Sequence, residues 1–162
     1  MMTESTLKNY NRILVGVDES QTASLAVDRA IMMAKTDEAK LIIASVINDR
    51  EIMGVSKKAI LGFGAATPDQ VNQVKDEVTT MVQRYVQRAS DAGVDAESVI
   101  TLGDPRGEIA TNLANKYDVD LIVVGATGVN LVGRMMLGST ADYVIRNAKC
   151  DVFVVHDYLE TK

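Results

Sequence analysis

The chain has few of the residues that build cross-linked or metal-bound folds. Its 162 residues include one cysteine, Cys150, and one histidine, His156. A single thiol excludes an intramolecular disulfide framework and a multi-cysteine metal site, and a single histidine excludes a multi-histidine metal site. A catalytic triad of the usual kind would have to use His156. The lone thiol fits a reducing compartment.

Aromatic residues and positive charge are also scarce. The chain has 5 Tyr, 2 Phe and no Trp, and its 17 basic and 22 acidic residues give a net charge of −5. Duplex nucleic acids and anionic membranes call for a basic surface, and single-stranded nucleic acids are bound largely by aromatic stacking. We therefore expect neither nucleic acid nor a membrane among the partners.

Long apolar segments are absent as well. No run approaches the ~18 apolar residues of a spanning helix, and the polar residues 1–12 contain no signal-peptide core. These absences favour a cytoplasmic protein. The composition, with 47% hydrophobic and 24% charged residues, is typical of a soluble globular protein. The length is typical of one domain.

Short apolar runs alternate with helical patterns along the chain. The runs cover residues 13–17, 41–47, 98–102, 121–124 and 152–155. Continuous apolar runs are typical of parallel strands that are buried on both faces of a sheet. Four helical patterns lie between the runs, so the order is β-α-β-α-β-α-β-α-β. This alternation predicts an α/β fold with a parallel sheet and helices on both faces.

Capping residues mark where most of these helices begin. An apolar stripe over 23–34 predicts the first helix, and Thr67-Pro68-Asp69-Gln70 predicts a capping box that opens the second, over 68–92. Asp104-Pro105 opens the third helix. Ser139 and Asp142 have the spacing of another capping box, with Ile145 on the buried stripe of the fourth helix. Residues 48–66 show no clear period and predict a mobile loop.

A set of glycines follows the fourth strand, with the spacing Gly125-x2-Gly128-x9-Gly138-Ser139. In doubly wound sheets, ligands bind at the carboxyl ends of the strands. Glycine permits positive φ and the close approach of a ligand, and free amides with the hydroxyls of Ser139 and Thr140 would suit a phosphate. The spacing alone leaves equally open a loop that merely needs turns at its glycines.

The glycine pattern resembles the G-2x-G-9x-G-[S/T] signature of ATP-binding universal stress proteins. Residues 13–20 resemble the first strand and turn of that family, and residues 103–109 resemble its third strand-to-helix junction. The resemblance extends over residues 12–155. It implies a single-domain, doubly wound sheet of five parallel strands in the order 3-2-1-4-5. We assign the domain to 11–157, with tails at 1–10 and 158–162.

The resemblance also implies an ATP site between the ends of strands 1 and 4. Asp18 matches the acid that bonds the ribose hydroxyls, although it could instead cap the first helix. Val17 and Val46 match positions that line the adenine pocket, and both could equally be core residues. The matching phosphate segment consists of Gly125, Gly128, Gly138, Ser139 and Thr140.

Two features bear on how phosphates would be held. The family often has a longer polar or basic residue where this chain has Ala126 and Thr127, which leaves the phosphates to backbone amides. Arg134 lies between the glycines and could neutralise phosphate charge or be a solvated loop residue.

The last apolar run, Val152-Phe153-Val154-Val155, bears on assembly. It would form an edge strand without proline, lysine or a bulge to protect it, and pairing with a second copy would cover it. The resemblance implies the same antiparallel homodimer. Phe153 could pack across that seam or inward.

We therefore expect a cytoplasmic, dimeric stress-response module that binds ATP, with Mg²⁺ as the accompanying ion. The chain has no Walker lysine motif, no G-x-G-x-x-G after the first strand, no G-x-S-x-G elbow and no evident general base. No catalytic residue or protein-held metal site is assigned, and whether the protein is an enzyme stays open. The alternatives are a nucleotide-independent dimeric interaction protein of the same fold and a slow ATPase.

Overall fold

The computed structural model describes residues 9–48, 67–127 and 136–157. Its elements are β1 (Arg12–Gly16), α1 (Gln21–Asp37), β2 (Lys40–Asn48), α2 (Pro68–Asp91), β3 (Ala96–Gly103), α3 (Pro105–Gly107), a π-helical turn (Glu108–Asn112), α4 (Leu113–Lys116), β4 (Leu121–Gly125), α5 (Ser139–Asn147) and β5 (Asp151–Val155). Residue Asn48, predicted to open the 48–66 loop, instead ends β2. The rest of that loop and most of both predicted tails lie outside the described residues.

The strands form one parallel sheet in the order β3-β2-β1-β4-β5, as expected. Ile13 of β1 pairs with Leu41 of β2 on one side and with Leu121 of β4 on the other. The chain moves outward from β1 in one direction through β2 and β3, and in the other through β4 and β5. Strands β1 and β4 therefore flank the topological switch point, where open α/β sheets bind ligands.

Helices cover both faces of the sheet, so its central strands are buried on both sides. Ile13 and Val15 of β1 pack with α1 and α2, whereas Leu14 packs on the opposite face with α4 and α5. All three side chains have no exposed surface. This alternation explains why the strands appear in the sequence as continuous apolar runs.

The first two helices begin as their capping residues predict. The Ser20 hydroxyl accepts from the Ala23 amide at 3.1 Å and caps α1. Thr67 and Gln70 form the expected capping box of α2, with both reciprocal hydrogen bonds present. After α2, Gly93 adopts a φ of +82°, a conformation that few residues other than glycine take easily.

The third helical segment is not a regular α-helix. It begins at the predicted Asp104-Pro105 junction, and its middle turn is wound as a π-helix in which the Leu113 amide bonds the Glu108 carbonyl. Ile109 and Leu113 are buried as predicted, and Tyr117 packs partly against the same cluster. Such π-turns occur frequently at functional sites.

The predicted capping box of the last helix is wrong. Gly138 is the N-cap of α5, Ser139 is its first residue, and within the described ranges no side chain caps the helix. Asp142 instead pairs with Arg146 at 3.0 Å, one turn later. Ile145 is 48% exposed rather than buried, because α5 contacts the core through Ala141 and Val144. Among the helices in the described ranges, none has the length and apolarity to cross a membrane.

Candidate functional site

A cleft of about 300 Å³ opens at the carboxyl ends of β1 and β4. Its described walls come from six parts of the chain: the end of β1, the turn into α1 with the start of that helix, one face of β2, the start of the third helical segment, the end of β4 with Thr127, and the start of α5. The lining residues are Gly16, Val17, Asp18, Ser20, Ala23, Ala44, Val46, Asn48, Pro105, Ile109, Val124, Gly125, Thr127, Gly138, Ser139, Thr140 and Ala141.

Seven of the eight site residues expected from the sequence line this one cleft. They are Val17, Asp18, Val46, Gly125, Gly138, Ser139 and Thr140. The eighth, Gly128, lies outside the described residues, as does Arg134. Residues that are more than 120 positions apart in the chain are thus brought to one edge of the sheet.

Asp18 follows β1 and lines the cleft. Its Oδ1 accepts from the Ser20 amide at 2.8 Å, which shapes the turn into α1. The capping role that the sequence left open belongs to Ser20, not to Asp18. Within the described parts of the chain, Asp18 is the only charged residue that lines the cleft.

Val17 and Val46 differ in how deeply they are buried. Val17 is only 7% exposed and belongs to the core on the α1 side, so it is a core residue that also borders the cleft. Val46 is half-buried and packs against the opposite cluster. Together with Ala44 and Ile109, Val46 makes the β2 side of the cleft apolar.

Gly125 ends β4 in close contact with α1. A Cβ built on it would lie 2.9 Å from Thr22 Oγ1 and 3.1 Å from the Thr22 carbonyl carbon. Neither Gly125 nor Gly138 has a positive φ; among the described glycines only Gly93 and Gly103 do. Neither glycine therefore supplies a left-handed turn, and Gly125 permits two backbone segments to approach.

The N-terminus of α5, whose N-cap is Gly138, lies at the cleft without a side-chain cap from the described residues. The Gly138 amide bonds the Ala126 carbonyl at 2.7 Å, which fixes the entry into the helix. The amides of Ser139, Thr140 and Ala141 lie in the first turn, where no intrahelical acceptor exists, and no side chain among the residues that the structure describes caps them. These amides and the helix dipole create a partial positive charge that suits an anion.

No lysine or arginine of the described chain lines the cleft, so an anion there would be held by backbone amides and hydroxyls. The nearest arginine in sequence to the lining, Arg106, pairs with Asp104 at 2.8 Å. That hydrogen bond raises the pKa of Arg106 above its ordinary value. The guanidinium is thereby held at the start of the third helical segment.

A larger depression of about 660 Å³ runs along α2. Its walls carry four carboxylates, those of Glu19, Asp69, Asp76 and Glu77, against the single guanidinium of Arg84. This balance of charge disfavours an anionic ligand, so the smaller cleft at the switch point is the better candidate site.

The sequence placed only Val46 on the β2 side of the cleft, and the other residues of that wall were not predicted. Ala44, Val46 and Asn48 alternate along β2 and all line the cleft, and Pro105 and Ile109 stand beside them. The two-residue period of a strand places 44, 46 and 48 on one face once Val46 is assigned to the site. Asn48 was expected to lie in a loop, which is why it was overlooked.

Comparison with known proteins agrees with this architecture. The family model described as "Universal stress protein family" matches residues 9–156. A putative universal stress protein of Staphylococcus aureus is 34% identical over 147 residues, which cover 90% of this chain and 84% of that protein.

Solved structures show the same fold. The universal stress protein UspA from Lactobacillus plantarum is 29% identical with a TM-score of 0.71, over 92% of this chain and 99% of that one. A universal stress protein solved in complex with cAMP is also 29% identical, with a TM-score of 0.65 over 92% of this chain and 98% of that one. The chain belongs to the universal stress protein family.

Proposed function

We propose that this protein is a cytoplasmic, dimeric stress-response module that binds ATP, together with Mg²⁺, in the cleft at the ends of β1 and β4. The proposal rests on one observation: the α5 N-terminus, which has no side-chain cap from the described residues, lies in the same cleft as Asp18 and the apolar side chains of Ala44 and Val46. The relative solved with cAMP supports an adenine nucleotide as the ligand class.

Each part of the cleft suits one part of the nucleotide. The apolar surface of Val46 and Ile109 suits the face of adenine, with Val17 at its edge. Asp18 suits the ribose, because a carboxylate can accept hydrogen bonds from two hydroxyl groups. The first-turn amides of α5 suit the phosphates, and we assign Gly125, Gly128 and Gly138 to the phosphate-binding segment as well.

The donors beside the α5 N-terminus also fit Mg²⁺. This ion prefers oxygen ligands and in nucleotide sites takes few of them from the protein, with phosphates and water supplying the rest. The hydroxyl groups of Ser139 and Thr140 are oxygens of that kind and both line the cleft. Mg²⁺ would neutralise phosphate charge that no described lysine or arginine of the cleft neutralises.

The described lining favours binding over turnover. Phosphoryl transfer needs a positioned nucleophile in addition to charge stabilisation, and Asp18 is the only titratable group in this lining. Its carboxylate is already engaged with the Ser20 amide at 2.8 Å. We therefore assign nucleotide occupancy, rather than hydrolysis, as the functional event.

Calorimetric titration with ATP, with and without Mg²⁺, tests the proposal. Wild-type protein should bind ATP, and removal of Mg²⁺ should weaken the binding. Absence of heat at millimolar ATP would favour the nucleotide-independent alternative. Purified protein analysed by mass spectrometry after denaturation should release an adenine nucleotide.

The ribose contact can be isolated with a ligand–protein cycle. Wild-type protein should bind ATP about tenfold or more tightly than 2′,3′-dideoxy-ATP, because hydrogen bonds to a charged group contribute ~1.5–3 kcal/mol. The Asp18→Ala variant should bind the two ligands alike. If the variant keeps the wild-type preference for ATP, the ribose is elsewhere, whatever the variant does to the stability of the fold.

The dimer would form through β5, which is an edge strand of the sheet. Phe153 on this strand is 40% exposed, and a second copy paired along Val152, Phe153, Val154 and Val155 would cover it. Light scattering should give twice the monomer mass for the wild type and the monomer mass for Phe153→Glu. Met32→Glu is the matched control, because Met32 is 53% exposed on α1 and should tolerate the charge. A dimeric Phe153→Glu variant would place the interface elsewhere.

A further inference from the structure

Thr22 is a buried hydroxyl beside the cleft that the nucleotide site does not use directly. It is 7% exposed and is, with Ser45, one of two buried polar residues in the described chain. It stands in the first turn of α1 and does not belong to the described lining of the cleft. A hydroxyl buried at this level normally has a specific hydrogen-bond partner.

The partner of Thr22 is the backbone that leaves β4. The Thr22 hydroxyl donates to the carbonyl oxygen of Thr127, a residue 105 positions away in the chain. Thr22 also packs against Gly125, where an added Cβ would meet its side chain. One side chain thus contacts the first and third residues of the segment Gly125-Ala126-Thr127, and both of these line the cleft.

The directions of the hydrogen bonds follow from counting protons. Thr22 has one hydroxyl proton, and a carbonyl can only accept, so that proton goes to Thr127. The contact of 3.2 Å between Ser20 Oγ and Thr22 Oγ1 must then be a donation from Ser20. Ser20 Oγ itself accepts from the Ala23 amide at 3.1 Å, and the Ser20 amide donates to Asp18.

Two consecutive hydroxyl hydrogen bonds run from Ser20 Oγ through Thr22 Oγ1 to the carbonyl of Thr127. The Ser20 amide, a separate group of the same residue, donates to Asp18 and ties this chain to the turn that follows β1. Hydrogen bonds in such chains polarise and strengthen one another. The chain joins the part of the cleft assigned to the ribose to the part assigned to the phosphates.

We propose that Thr22 is a positioning residue that holds the Gly125–Thr127 backbone in the geometry needed for the phosphates of the nucleotide. The proposal rests on the nucleotide-binding function above. Thr22 does not contact the ligand and acts through Thr127 and Gly125. Its hydroxyl, rather than its methyl group, is the part that matters for binding.

Three variants separate the hydroxyl from packing. Thr22→Val keeps the shape and removes the hydroxyl, whereas Thr22→Ser keeps the hydroxyl and removes the methyl group. Thr79→Val is the matched control, because the Thr79 hydroxyl donates to the Lys75 carbonyl at 2.7 Å on the exposed surface of α2. Calorimetry with ATP and, separately, with adenosine distinguishes the phosphate part of the cleft from the rest.

We expect Thr22→Val to bind ATP about tenfold more weakly than the wild type, since the Thr127 carbonyl then lacks the partner that holds it in place. Its affinity for adenosine should stay within about twofold, because adenosine has no phosphates. Thr22→Ser should restore ATP binding, and Thr79→Val should bind both ligands like the wild type. The proposal is overturned if Thr22→Val binds ATP normally, if both ligands weaken equally, or if Thr22→Ser is as weak as Thr22→Val.

A second measurement needs no ligand. The Ala126 amide donates to the Val155 carbonyl at 2.8 Å, and the Gly138 amide donates to the Ala126 carbonyl at 2.7 Å. Both hydrogen bonds involve the middle residue of the Gly125–Thr127 segment. Hydrogen exchange of these two amides should be faster in Thr22→Val than in the wild type and normal in Thr22→Ser. Unchanged exchange would refute positioning by Thr22. If exchange is faster in Thr22→Val but the wild type binds no ATP, the positioning by Thr22 stands and the nucleotide function, with the purpose assigned to Thr22, is refuted.

Discussion

Gly125→Ala is the substitution whose effect is most directly set by the geometry. The new methyl group would lie 2.9 Å from Thr22 Oγ1, 3.0 Å from Thr22 Cβ and 3.1 Å from the Thr22 carbonyl carbon. Favourable contacts between carbon atoms lie at ~3.5–4.0 Å. A side-chain tip could rotate away, but the Cβ and the carbonyl carbon move only with the backbone of α1. The helix must therefore shift away from the end of β4.

Forced shifts of this kind cost ~1–3 kcal/mol. The substitution also restricts the unfolded chain, which offsets ~0.4–1 kcal/mol of that cost. We expect a net loss of about 1–2 kcal/mol, against a total free energy of unfolding of ~5–15 kcal/mol for a domain of this kind.

Gly107→Ala is the matched control. Gly107 has α-helical angles, with φ −70° and ψ −37°, and a Cβ added there would have no neighbour within 4 Å. This variant should be stabilised by ~0.4–1 kcal/mol. Urea denaturation followed by circular dichroism gives both values. A Gly125→Ala variant as stable as Gly107→Ala would refute the close packing of α1 against Gly125.

Two further predictions concern single side chains. Ser139→Ala should leave the free energy of unfolding within ~0.5 kcal/mol of the wild type, because Ser139 is a surface residue that caps no helix. The variant should bind ATP more weakly in calorimetry, because Ser139 lines the cleft. A stability loss near ~1 kcal/mol, as for a removed cap, would instead support the capping box. Burial, together with the hydrogen bond to Asp151 at 3.0 Å, raises the pKa of Tyr10, so its contribution to stability is complete below the ordinary value of ~10 and is lost as the pH rises through the folded-state pKa. Tyr10→Phe should therefore lose less stability than the wild type above that pH in urea titrations, and identical losses would contradict the shift.

The parallel sheet was predictable because continuous apolar runs and capping residues are local signals. Its 3-2-1-4-5 order came instead from a resemblance carried by Gly125, Gly128, Gly138 and Ser139, and the structure confirms that order. The stripe of α1 was equally clear, since Val27 and its neighbours repeat with helical spacing and are buried.

What sequence reasoning missed depends on contacts between distant residues. The packing of Thr22 against Gly125 joins positions 103 apart, so the spacing alone left Gly125 open between a ligand-binding segment and a turn. The spacing of Ser139 and Asp142 satisfies a capping box, but the chain enters α5 through a bond from the Gly138 amide to Ala126. Only the tertiary arrangement decides that Gly138 is the cap.

The exposure of Ile145 has a similar origin. Val144 precedes it by one residue and is fully buried, and one residue rotates a helical side chain by ~100°. The apolar spacing was therefore compatible with either residue at the centre of the buried face. The choice between Val144 and Ile145 depends on how much of α5 is covered by the sheet, which only the assembled fold determines.

The central claim is that an adenine nucleotide binds with its phosphates at the N-terminus of α5. Amide chemical shifts recorded during a titration of the full chain with ATP and Mg²⁺ test it most directly. We predict the largest shifts at Ser139, Thr140 and Ala141, with smaller shifts at Val46, and only the latter when adenosine replaces ATP. Shifts concentrated along α2, or none at millimolar ATP, would contradict the claim.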